Sequence, residues 1–213
     1  MRYALAPHIH IACVDGDVVL LDAATDRYAC LPACDAREIR SGYAARCWDQ
    51  GPLVAELAAA GYLMPSDEPP GERRSLPTPC ELDLHMLDGD VPALTVPDLT
   101  TTALAGVRTA WRLAAQRPMH WLRPRGAGTP RPDEAVALAR RFTEAQLHLP
   151  FLARCLPRSL ALFDFLARRA CPAQLVFGVR THPFEAHCWV QAGNIVLNDT
   201  LSRVRWYTPI AWS

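Results

Sequence analysis

The sequence predicts an α+β protein of two unequal units: a small antiparallel sheet followed by helices, then a larger unit in which helices precede strands. Three observations carry that prediction. Apolar, β-prone runs broken by turn signals fill residues 8–31, a Pro-rich stretch interrupts the chain at residues 66–79, and helix-period patterns then give way to short alternating runs near the C-terminus. A chain of 213 residues suits such a pair.

Asp15-Gly16 separates the runs 8–14 and 17–22, and residues 23–26 separate the second from 27–31. Asp-Gly between β-prone runs is a strong hairpin signal, so these runs read as a three-stranded meander. His8 and His10 alternate with Ile9 and Ile11 and fall on its outer face. Residues 33–46 and 52–62 read as helices, with Pro52 suited to a first turn and Gly61 to a helix end. The stretch 66–79 holds Pro69, Pro70, Pro77 and Pro79, which neither helix nor central strand tolerates. It divides the chain into residues 1–78 and 79–213. Residues 98–116 and 132–149 carry apolar side chains at helical spacing (Leu104, Val107, Trp111, Leu113 and Val136, Ala139, Phe142, Leu147), with Asp98 and Asp133 as cap-type residues. The piece between them, 117–132, is turn-rich and carries no readable chemistry.

Composition excludes several functions. Lys plus Arg equals Asp plus Glu at 22 each, so no net field gathers nucleic acid or an anionic membrane surface. No apolar run approaches the roughly 20 residues that span a bilayer, and the start of the chain does not read as a signal peptide, so a cytoplasmic address without a membrane partner is expected. The eight cysteines are then expected as reduced thiols. Only Cys30 and Cys34 approach a ligand spacing and no second tight pair follows, so neither a metal nor another cofactor is called for.

One cysteine stands where physical chemistry would place a nucleophile. Cys155 precedes Leu156-Pro157, after which Leu160, Phe163, Leu166 and Ala170 repeat on one helical face. Pro157 fits only the first turn of that helix, so Cys155 lies at its N-terminus, where free N–H groups and the dipole favour a thiolate and can receive an oxyanion. Residues 174–179, 186–191 and 195–198 read as strands. A three-residue loop 192–194 would set His187 opposite Asp199, with Gly193 or Asn194 at positive φ, whereas a two-residue turn 193–194 would set Thr200 there and leave Asn198 as the orienting candidate. The expectation is therefore an odd-length loop or a bulge, and a triad of Cys155 as nucleophile, His187 as base and Asp199 as orienter. Cys188 is expected to pack on the face opposite His187, and Trp189 to shield the imidazole. Arg158 reads as a surface residue, with a substrate or partner carboxylate as the alternative contact.

The stretch from Cys155 to Leu162, then Phe177-Gly178-Val179, Ala186-His187-Cys188-Trp189-Val190 and Leu197-Asn198-Asp199, resembles the transglutaminase-like leader peptidases of lasso peptide biosynthesis, the B proteins. The resemblance covers residues 130–213. It implies a papain-like Cys-His-Asp peptidase that trims the leader of a precursor peptide so that an asparagine-synthetase-like cyclase can close a macrolactam. Residues 1–78 resemble the PqqD-like, winged-helix-type domain that recognises precursor leaders, which implies leader binding as an added strand. Arg27, Tyr28, Ala29, Cys30 and Leu31 of the third strand, with Leu53 and Leu57 of the following helix, would then meet the leader. Three features depart from the family: residues 32–64 are short for the usual three helices, Cys188 replaces a small residue and Gln191 an acidic one. The alternatives from other classes are a non-enzymatic leader-binding adaptor and a transglutaminase-type acyl transferase, which would share the acyl-thioenzyme.

Overall fold

The computed structural model describes residues 1–67, 75–89, 93–115, 122, 131–149 and 154–213. The centre of the Pro-rich stretch, most of the turn-rich piece 117–132 and Pro150 lie outside the described residues. The described chain is mixed α+β and falls into two compact units, Met1–Leu76 with Val179–Glu185, and the remainder from Pro77 onward.

In the first unit, β2 (Ile9–Val14), β3 (Asp17–Asp22) and β4 (Arg27–Leu31) form the expected meander in the order β2-β3-β4. Asp15 and Gly16 both take positive φ, as a two-residue I′ turn requires, and set Val14 opposite Asp17. Ile9 and Ile11 are buried while His10 is only partly so, which follows the alternation. A second sheet was not foreseen: β1 (Arg2–Leu5) lies between β5 (Cys47–Asp49) and β6 (Leu63–Pro65), pairing Tyr3 with Trp48 on one side and Pro65 on the other. Strands of three or four residues are too short to display a period.

The helices α1 (Arg37–Gly42) and α2 (Pro52–Ala59) are shorter than expected, because residues 43–46 turn, with Arg46 at φ +50, and Gly61, at φ +81, ends the second. Glu38 caps α2 from outside, accepting from the N–H groups of Leu53 and Val54 at 3.2 and 3.1 Å. Ile39, Trp48, Val54, Leu57 and Leu63 close the core beneath the meander.

In the second unit, α3 (Val96–Ala115), α4 (Pro132–Gln146) and α5 (Cys155–Ala167) precede a five-stranded sheet ordered β11-β8-β9-β10-β7. Its strands are β7 (Leu82–Asp83), β8 (Gln174–Arg180), β9 (Glu185–Ala192), β10 (Ile195–Val196) and β11 (Thr208–Trp212), and α6 (Leu201–Val204) leads into the last. Two capping expectations are corrected. Thr95 caps α3 and makes a reciprocal box with Asp98, whose carboxylate accepts from Thr95 Oγ1 at 2.6 Å; α4 starts at Pro132, so Asp133 falls in its first turn.

The apolar stripe of α3 is also reversed. Leu104, Val107 and Trp111 are exposed, and the buried face is Asp98, Thr102, Ala105, Gly106 and Thr109. Small side chains let α3 approach α5 closely, and α5 is buried nearly all round, as an apolar helix must be. Likewise α4 buries Ala135, Ala139, Phe142 and Ala145, leaving Leu147 exposed. Among the described residues no helix is long and apolar enough to cross a membrane.

The contact is pinned by a buried carboxylate on α5. Asp164 accepts from Arg108 Nε at 3.0 Å, Arg112 Nη1 at 2.9 Å and Arg168 Nε at 2.9 Å. Burial favours its neutral form, but the hydrogen bonds and charges of Arg168 and Arg108 outweigh this and leave its pKa lowered. Asp164→Ala is expected to cost about 2–4 kcal/mol, below the range for fully buried pairs because the arginines are partly exposed. Since the folded pKa lies below the unfolded one, this contribution is complete above the unfolded value and lost as pH falls through the folded value. Urea unfolding should show a gap between wild type and variant at neutral pH that closes in acid.

Candidate active site

Cys155 is the first residue of α5, with Arg154 in extended conformation before it and Pro157 inside the first turn. The first N–H groups of a helix have no intrahelical partner, so those of Cys155 and Leu156 remain for other acceptors. The Leu156 N–H is directed to the Cys155 sulfur. His187 lies in β9 with its side chain 2 % exposed, and Asp199 follows β10 in the bend before α6.

His187 Nε2 and Asp199 Oδ2 are 2.5 Å apart. That bond occupies Nε2 and leaves Nδ1 for the Cys155 thiol, which hydrogen-bonds the same ring. Asp199 Oδ1 accepts from the Thr200 N–H at 2.8 Å, so both carboxylate oxygens are engaged. The structure thus brings Cys155, His187 and Asp199 together around one imidazole.

The route to this arrangement differs from the expected one. The β9–β10 turn is a regular two-residue turn, Gly193-Asn194, that pairs Ala192 with Ile195 and Gln191 with Val196, not a three-residue loop. Gly193 takes φ +59 at the first turn position, where a II′ turn places glycine. Continued regularly, that register would set Thr200 opposite His187. It does not continue: Leu197 N–H donates to Val190 O at 2.8 Å, but Val190 N–H donates to the side-chain Oδ1 of Asn198 at 2.8 Å. The backbone leaves the ladder there, and Asp199 swings back to His187.

The surrounding shell is apolar and aromatic. Trp189 stacks near His187 with ring centroids 6.4 Å apart, and Tyr207 lies at 5.0 Å. Gly178 makes room for both, since a Cβ there would lie 2.7 Å from Trp189 and 2.8 Å from Tyr207. Trp189 Nε1 donates to Gln191 Oε1 at 2.9 Å, and Gln191 Nε2 donates to Thr78 O at 2.8 Å, tying the segment before β7 to the sheet.

Cys188 is buried, as expected of a packing residue, but its thiol also hydrogen-bonds Cys155. Arg158 is not a free surface charge: its Nη2 donates to the carbonyl of Asn198 at 2.9 Å. Neither contact was visible in the sequence, because the first depends on how β9 meets the start of α5 and the second on where the 197–199 bend falls. Tyr207 was missed altogether, although a glycine inside a strand run, Gly178, is the kind of signal that marks a close approach.

The electrostatics follow from these contacts. Hydrogen bonds from Cys188 and then His187, helped by the imidazolium charge and the Leu156 N–H, overcome burial and bring the Cys155 thiol down to about 4. Burial lowers the His187 pKa, but bonds to Asp199 and Cys155 together with both charges reverse this and leave it raised. Burial pushes Asp199 up, and the His187 and Thr200 bonds bring it below its ordinary value. Both shifts run in the direction that favours a thiolate beside an imidazolium.

Of the expected leader-contacting residues, Arg27 and Cys30 are exposed, Tyr28, Ala29, Leu31 and Leu53 are partly buried, and Leu57 is 7 % exposed in the core of the first unit. The β4 strand pairs only with β3 among the described residues. Tyr28 packs on Phe184 of the same unit with ring centroids 5.5 Å apart. Cys155, His187 and Asp199 belong to the second unit.

A cysteine at a helix start, a histidine on a strand and an acid in the bend after the neighbouring strand fit the transglutaminase-like class. The Transglutaminase-like superfamily profile matches residues 100–211, and the chain belongs to this superfamily. It is 49% identical over 49 residues to the microcin J25-processing protein McjB of Escherichia coli. That similarity spans 23% of this chain and 24% of McjB, so the chain matches about a quarter of that relative's length. No solved structure matches.

The cysteines should therefore separate by reactivity. Iodoacetamide at about pH 6 is expected to label Cys155 first, while Cys80, pushed up to about 11 by burial, and Cys171, also raised by burial, stay unmodified. Peptide mapping by mass spectrometry reads the order directly.

Proposed function

We propose that this protein is a cysteine peptidase that removes the leader from a lasso-type precursor peptide, with Cys155 as nucleophile, His187 as acid and base, and Asp199 as orienter. The observation that carries the reading is the His187–Asp199 bond beside a thiol at a helix start. The partial similarity to a microcin-processing protein supplies the substrate class.

The Cys155 thiolate attacks the carbonyl carbon of the leader–core bond, and the free N–H at the start of α5 receives the oxyanion. Pro157 offers none and the Leu156 N–H is turned to the sulfur, so the Cys155 amide carries that role. The imidazolium gives its Nδ1 proton to the departing core amine as the C–N bond breaks, leaving the leader as a thioester. Water then attacks, His187 takes its proton, and the thiolate returns. Asp199 holds the ring throughout, so that one nitrogen always faces the sulfur.

Residues 1–78 form the proposed leader-recognition domain and 79–213 the peptidase domain. The leader would add as a strand along β4, beside Arg27 to Leu31, with Leu53 at the groove and Leu57 supporting it from the core. The freed core amine is what an asparagine-synthetase-like cyclase in the same cytoplasm would need.

Cys155→Ala is expected to abolish leader removal, at least a 10³-fold loss, while Cys171→Ala retains it; mass spectrometry of precursor digests decides. Full cleavage by Cys155→Ala would end the peptidase assignment, and product joined to an added amine in place of free leader acid would point to acyl transfer. For recognition, the full-length Cys155→Ala chain titrated with labelled leader is expected to lose at least about tenfold in affinity when the leader's alternate amides are N-methylated on the strand-pairing side. Equal affinity for both N-methylation registers and the unmodified leader would rule out strand addition.

A further inference from the structure

We infer that Asn198 is a positioning residue, whose side chain takes a rung of the β9–β10 ladder in place of the backbone and thereby delivers Asp199 to His187. The inference rests on the triad reading and names what makes that triad possible in this chain. The two-residue turn fixes a register in which Asp199 and His187 are not partners, so something must break the ladder between residues 196 and 199.

Asn198 is held at three atoms. Its Oδ1 accepts from the Val190 N–H at 2.8 Å, its Nδ2 donates to Ser159 Oγ at 2.7 Å, and its carbonyl accepts from Arg158 Nη2 at 2.9 Å. Val190 belongs to the strand that carries His187, and Ser159 and Arg158 to the first turns of the helix that starts with Cys155. Ser159 is fully buried and passes its own proton to Cys188 O at 3.0 Å. One residue thus ties the helix of the thiol to the strand of the histidine, and the residue after it is the carboxylate.

The side-chain chemistry is demanding. The group must accept from a backbone N–H and donate to a buried hydroxyl at the same reach, which an amide does and a carboxylate or aliphatic side chain does not. With Oδ1 standing in for the Leu197 carbonyl, Val190 keeps a partner while the main chain is free to turn. Without it, the ladder's next regular rung pulls Asp199 out of reach.

The test is the pH dependence of Cys155 alkylation in full-length protein, which needs no peptide substrate. Asp199 supports the imidazolium and the imidazolium supports the thiolate, so loss of Asp199 from its place moves the acid limb of alkylation upward. Asn198→Ala is expected to raise that limb by about as much as Asp199→Asn, with at least a tenfold slower reaction at pH 6, and the double variant to add nothing further. Where precursor cleavage is measurable, kcat should fall on the order of 10²-fold with KM little changed. If Asn198→Ala does not fold by circular dichroism, Ser159→Ala, which removes one anchor, decides: its limb must move in the same direction by a smaller amount. An unshifted limb in the folded variant overturns the inference, as does additivity in the double variant. A wild type with the low limb but no cleavage would sink the peptidase reading and leave the positioning role standing.

Discussion

Everything about the site depends on one short hydrogen bond, His187 Nε2 to Asp199 Oδ2 at 2.5 Å. It selects the tautomer, fixes the ring plane and leaves Nδ1 as the atom that meets sulfur. It also makes burial tolerable. A histidine whose side chain is 2 % exposed would be neutral on desolvation alone, and the paired carboxylate reverses that balance. Trp189 and Tyr207 pack beside the imidazole, and the absence of a Cβ at Gly178 lets these two large rings approach. A charged pair inside such a shell interacts more strongly than one in water.

The second constraint is where α5 begins. A thiolate at a helix N-terminus needs the helix to stay in place while its first amides remain free, and α5 achieves this by being buried along nearly its whole length. Its packing partner α3 contributes small side chains and two arginines in place of an apolar stripe, so the contact is close and is oriented by Asp164. The ion cluster on the far part of the helix and the amides at its start are therefore parts of one arrangement. The buried carboxylate fixes the helix laterally, and the partly buried first turn presents Cys155.

Much of this was legible from residue types. Asp15-Gly16 specified its turn, because both positions require positive φ and this pair supplies it. Pro157 located the helix start, and the order of Cys155, His187 and Asp199 identified the constellation. What escaped was set by tertiary contacts. The apolar spacing of Leu104, Val107 and Trp111 pointed to the wrong face of α3, since close helix approach rewarded Ala105 and Gly106 instead. The strands β1, β5 and β6 pair residues far apart in sequence and carry too few residues for a pattern. The hairpin parity argument identified the correct conflict, a two-residue turn against a His187–Asp199 pair, but the resolution came from a side chain entering the ladder, which no backbone counting rule anticipates.

The same geometry bears on the fate of the acyl-thioenzyme. Attack by thiolate and departure of an amine are common to hydrolysis and to acyl transfer, so the triad alone does not choose between them. The choice lies in which nucleophile reaches the thioester while His187 is neutral. In the proposed reaction, the imidazole would be neutral after the amine leaves and, still held by Asp199, could serve as a base toward the next nucleophile. Trp189 and Tyr207 lie against the ring, with centroids 6.4 and 5.0 Å from that of His187. In the proposed peptidase, attack by water on the thioester frees the leader acid and restores the thiolate, whereas the core amine on which ring closure would depend has already left in the acylation step.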